Sequence, residues 1–90
     1  MLVYFNGEQK QLLEVVKVEY FEEDDYQDEC IEFQLLKEND GEDTVILDRD
    51  DLTEYKKAFR NLGFRTDSIA KLFEDIVEKL MKNGKVTIPL

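Results

Sequence analysis

The chain has 90 residues, 42% of them hydrophobic and 11% aromatic, which suffices for one packed core and leaves no room for two. Its 22 acidic and 12 basic residues give a net charge of −10, which opposes non-specific binding to nucleic-acid phosphate or an anionic membrane surface. With no histidine and one cysteine, Cys30, the chain lacks the commonest general base and any internal disulfide.

The first element expected is a strand over Leu2–Phe5, closed by Asn6-Gly7 as a two-residue hairpin turn, because both residues tolerate positive φ. The N-terminal residues lack the basic region and long apolar run of a signal peptide. From Leu12 to Phe21 apolar and polar residues alternate, with Val16, Val18 and Tyr20 on one face and Lys17 and Glu19 on the other. An acidic turn follows. Glu29 to Lys37 alternates again, with Ile31, Phe33 and Leu35 on one side and Cys30 and Leu36 opposite. Asn39-Asp40-Gly41 marks another turn before a short β-branched strand over Thr44–Leu47.

The second half switches to helical period. Asp51 and Glu54 have the spacing of a capping box for a first helix, whose apolar face is Leu52, Tyr55, Phe59 and Leu62. Gly63 is expected just past its end at positive φ, with Phe64 placed to contact Phe59 in a Schellman close. Thr66 is expected to cap a second helix carrying the stripe Ile69, Leu72, Phe73, Ile76, Val77, Leu80 and Met81. Asn83-Gly84 ends that helix, and Lys85–Ile88 is a final strand followed by Pro89. The order is ββββααβ: one α+β domain over residues 1–90, with an antiparallel four-stranded meander, an αα-hairpin packed on one face and a short C-terminal strand.

Charge is segregated along this chain. Residues 22–54 hold fifteen acids against Lys37 and Arg49, whereas residues 55–90 hold four acids and eight bases. The densest run is Glu22, Glu23, Asp24, Asp25, Asp28 and Glu29. No glycine lies within it, so it does not match a calcium loop, and no metal or other cofactor is expected. Cys30 has acidic neighbours that raise a thiol pKa, so catalysis is not expected either. The helix–turn–helix element partly matches a DNA-binding pattern at Ala58, Gly63, Ile69 and Leu72, but Asp67, Glu74, Asp75 and Glu78 repel phosphate. Lys56, Lys57, Arg60, Arg65 and Lys71 read as a solvated face that partly neutralises the acidic strands.

The function expected is a small, cytoplasmic, non-catalytic interaction module that binds a basic surface of another macromolecule, above all a protein. Mimicry of a nucleic acid is a special case of it, and direct binding of nucleic acid or membrane is not expected. The expected contact residues are Glu22, Glu23, Asp24, Asp25, Tyr26, Asp28 and Glu29, joined by Asp40, Glu42 and Asp43 from the next turn. The alternatives are a homodimeric accessory subunit, since Leu2, Val3, Tyr4 and Phe5 cannot all face one core, and, less favoured, a small enzyme.

Overall fold

The computed structural model describes residues 1–8, 10–36 and 43–90. Its elements are β1 (Leu2–Phe5), β2 (Gln11–Phe21), β3 (Cys30–Leu35), β4 (Asp43–Asp48), α1 (Arg49–Glu54), α2 (Lys56–Asn61), α3 (Ile69–Asn83) and β5 (Lys85–Ile88). They form an α+β fold in which one five-stranded mixed sheet, ordered β4-β3-β2-β1-β5, carries the helices on one face. The antiparallel meander β1 to β4 and the helical hairpin stand as expected. The final strand lies parallel to β1, with Val3 opposite Val86.

Alternation along the strands builds the core. Val3 and Phe5, Val15, Ile31 and Phe33, Leu47, Val86 and Ile88 are buried on the helix side, where Leu52, Phe59, Ile69, Leu72, Ile76 and Leu80 meet them. The rings of Phe5 and Phe33 meet edge to face at 5.7 Å. Among the described residues no helix is long and apolar enough to cross a membrane.

Several local expectations give way to tertiary structure. Asn6-Gly7 is not a two-residue turn: β1 ends at Phe5 and β2 begins at Gln11, and among the described residues between them the positive φ falls on Lys10 (44°). Gly7 serves a close approach instead. Its N–H donates to the Leu90 carbonyl at 2.9 Å, and a Cβ there would stand 2.4 Å from that carbonyl carbon. In β2 the register shifts between Val15 and Lys17, a bulge that buries Val15 and turns Val16 to solvent, so only Val18 and Tyr20 keep the expected inward side. Cys30 and Leu36 also part company. Cys30 is buried, and exposed Leu36 lies just past β3, its N–H donating to Glu14.

The first helix starts three residues early. Asp48 is the N-cap, accepting from the Asp51 N–H at 2.9 Å while Asp51 accepts from the Asp48 N–H at 3.0 Å, so the capping box is Asp48–Asp51 rather than Asp51–Glu54. Burial and the neighbouring Asp48 charge raise the Asp51 pKa. The helix breaks at Tyr55 into α1 and α2, with Leu52 and Phe59 buried beneath the pair. Its end closes as expected: Gly63 has φ 87°, its N–H donates to Arg60 O at 3.0 Å, the Phe64 N–H donates to Phe59 O at 3.1 Å, and the two rings meet at 5.6 Å. Thr66 does not cap α3. Ser68 does, accepting from the Lys71 N–H, while buried Thr66 accepts from Arg60 Nε at 3.0 Å.

Candidate functional site: the acidic tip of β2 and β3

The register of β2 and β3 ends at the pair Phe21–Cys30, so residues 22–29 project beyond the sheet as one tip. Asp24 organises it. Its Oδ1 accepts from the backbone N–H groups of Tyr26 (2.7 Å) and Gln27 (2.9 Å), and its own N–H donates to the Gln27 carbonyl at 3.0 Å. Such local bonds are why aspartate favours turns. They hold Tyr26 outward with 96% of its surface accessible, among the exposed Glu22, Glu23, Asp25 and Asp28.

Glu29 is built into the base of the tip. It accepts from the Tyr20 hydroxyl, and its other oxygen accepts from Arg49 Nε at 3.3 Å. The bond to Glu29, with burial and carboxylate charge, pushes the Tyr20 pKa up to about 12, so the phenol keeps its proton at ordinary pH. Arg49 also reaches Glu23, at 3.3 Å. Tyr20 packs on Phe73 of α3 at 5.8 Å between ring centroids, tying the tip to the helical layer. Beside the tip, Glu29, Arg49, Lys56, Thr66 and Asp67 help line an open cleft of about 320 Å³ carrying both signs of charge.

Seven expected contact residues, Glu22 to Tyr26 with Asp28 and Glu29, therefore share one end of the sheet. Asp43 does not join them, since it pairs with Leu35 at the other end of β3, about 17 Å away for strand rise over five residues. Asp40 and Glu42 lie outside the described residues. The acid that does approach the tip is Asp48, opposite Cys30.

Arg49 is the member the sequence reading missed. One of two bases in the acidic stretch, it follows Asp48, and the Cys30–Asp48 pair sets it beside Glu29. Cys30 is 6% exposed, and burial, Glu32, Asp48 and Asp28 all push its thiol pKa up. Among the described residues, no three of the residue types that ligate metals gather into a metal-binding group. The basic cluster is partly spent inside the molecule. Arg65 Nη2 lies 2.9 Å from Asp75 and 3.2 Å from Glu74, and Lys71 lies 3.8 Å from Glu74.

No protein-family model, curated protein or solved structure matches this chain.

Proposed function

We propose that the protein is a non-catalytic binding module whose acidic tip docks on a basic surface of another protein. The observation that supports this reading best is Tyr26, almost wholly exposed on a turn ordered by Asp24 and ringed by carboxylates. Carboxylates around a basic patch steer association, and an aromatic ring at their centre supplies the contact area that charge alone lacks. The order already present in the turn lowers the entropy lost on docking. The basic channel of a nucleic-acid-binding protein is one such surface, which the tip would occupy in place of phosphate. The reading includes neither direct nucleic-acid nor membrane binding, and it places the protein in the cytoplasm, where its single buried thiol stays reduced.

The test uses a labelled arginine-rich peptide as the basic probe. The triple variant Asp24→Asn, Asp25→Asn, Asp28→Asn removes three tip charges and retains Oδ1 of residue 24 as an acceptor. A matched variant, Glu8→Gln, Glu14→Gln, Glu54→Gln, removes three exposed charges elsewhere. The tip variant weakens binding severalfold more than the matched one, and Tyr26→Ala weakens it at constant charge. Equal losses from the two triples would leave the net charge, rather than the tip, as the cause.

A further inference from the structure

The sheet ends at β4 on one side and at β5 on the other. Strand β5 bonds β1 through alternate residues. The Gly84 and Ile88 carbonyls accept from the Leu2 and Asn6 N–H groups, at 3.0 and 2.9 Å. The period of two puts Val86 in the same set and turns the N–H and C=O groups of Lys85 and Thr87 outward, to the open edge. Beside that edge runs an open groove of about 380 Å³. Leu62, Phe64 and Val86 give it apolar walls. Its charged liners are Lys79 and Lys85, and among the described residues no carboxylate lines it.

We propose that the β5 edge binds an extended segment of another protein, which joins the sheet as a further strand and alternates apolar with acidic side chains. Its main chain bonds the outward groups of Lys85 and Thr87, and its side chains fall alternately on the two faces of the sheet. Those on the helix face enter the groove against Leu62 and Phe64. Those on the other face meet Lys85, whose exposed side chain alternates with buried Val86. Lys79 Nζ, 5.1 Å from the centroid of the Phe64 ring, adds a second positive charge at the groove. A lysine at a sheet edge often serves only to keep other strands away. Here the apolar groove gives an added strand side-chain contacts as well.

Charge selects an acidic segment. Among the described residues Lys79 and Lys85 are in no ion pair, whereas Lys71 and Lys82 are, and Asp75, near Lys79, is held by Arg65 at 2.9 Å. The acids behind the net charge of −10 are concentrated in residues 22–54. Their tip is far from this edge. Lys85 stands level with Leu2, and Leu2 with Glu14. The tip begins past Phe21, seven residues further along β2, or about 23 Å for strand rise. That exceeds the ~8 Å screening length at physiological salt. The edge is thus a second site, and its test does not depend on tip binding.

Hydrogen exchange in the free protein reads the edge: the Lys85 and Thr87 amides exchange faster than those of Val86 and Ile88. The probe is a short labelled peptide alternating valine and aspartate, followed by fluorescence anisotropy at ~0.15 M salt. It binds wild type and slows exchange at Lys85 and Thr87. Replacing its aspartates by asparagine, or methylating the amide nitrogens that face the edge, weakens binding ~tenfold or more. Thr87→Pro removes an outward N–H and no bond to β1, so it keeps the melting temperature near wild type and weakens binding by a similar factor. Lys79→Gln combined with Lys85→Gln weakens it without touching the backbone, and the tip triple leaves it unchanged. Absence of binding to wild type overturns the proposal. So does equal binding of the methylated peptide, full affinity in the double lysine variant, or protection that falls outside β5.

Discussion

The β2–β3 tip and the turn between α2 and α3 are both charged connections, and they are built in opposite ways. In the helical turn, Phe59 and Phe64 anchor the chain, Gly63 closes the helix, and Arg65 is used up on Asp75 and Glu74. In the tip, Asp24 bonds the backbone and Arg49 reaches Glu23 and Glu29, while Asp25, Tyr26 and Asp28 face water. Charges that face one another within a fold stabilise it and are withdrawn from partners. Charges of one sign that face water repel one another and remain available.

The contrast breaks most clearly at the anchor. Phe59 is fully buried, and Phe59→Ala is expected to cost about 3–5 kcal/mol by chemical denaturation, because it empties a core aromatic site and releases Phe64. A loss below about 1 kcal/mol would mean that the helical turn is held elsewhere.

Asp75 comes next. Its carboxylate accepts from the Arg65 backbone N–H at 2.8 Å and from Nε and Nη2, and the hydrogen bonds to Arg65 hold its pKa below the usual carboxylate range. Asp75→Ala is expected to cost about 1–2 kcal/mol by removing charge-assisted hydrogen bonds that water only partly replaces at the exposed Arg65 donors. The sign with pH follows from the lowered pKa. This contribution is fully present above the unfolded value of about 3.9 and is lost as pH falls through the lower folded value. Wild type and Asp75→Ala therefore converge in stability in strong acid, and a constant gap down to that pH would assign the effect to packing.

Gly63 sharpens the same region by a smaller amount. An alanine Cβ there meets only Lys79 Nζ, at 3.8 Å, so backbone strain at φ 87° is the whole penalty. Gly63→Ala is expected to cost about 1 kcal/mol. A neutral result would show that the turn relaxes freely.

The tip gives the smallest effect, with the opposite sign. Neutralising Asp24, Asp25 and Asp28 to Asn leaves the melting temperature unchanged or slightly higher. Any gain shrinks as sodium chloride rises to ~0.15 M, where screening is ~8 Å. A clear fall in melting temperature would make these carboxylates structural.

What the sequence disclosed about these two regions follows from how local each device is. The Gly63 close was legible because glycine, flanking aromatics and helix period all lie within six residues. The capping box was misplaced because Asp48, Asp51 and Glu54 make two overlapping i, i+3 pairs, and only the end of β4 decides between them. The Val16 bulge depends on the partner strand, and the need for Gly7 on the arrival of Leu90 from the far end of the chain. The α3 stripe was legible in period but not in width, since the sheet covers Ile76 and leaves Met81 outside. In the site, the density of acids was plain. Their division between two ends of β3, and the capture of Glu29 by Tyr20 and Arg49, required the strand register.

The central claim is that the tip steers association with a basic partner, and rate constants address it most directly. Association and dissociation of the arginine-rich peptide are measured by stopped-flow fluorescence for wild type, the tip triple and the matched triple, at low and ~0.15 M salt. The account predicts that the tip triple slows association severalfold at low salt, that the difference narrows as salt rises, and that the matched triple stays near wild type. An association rate for the tip triple equal to that of the matched variant at both salt concentrations would contradict it.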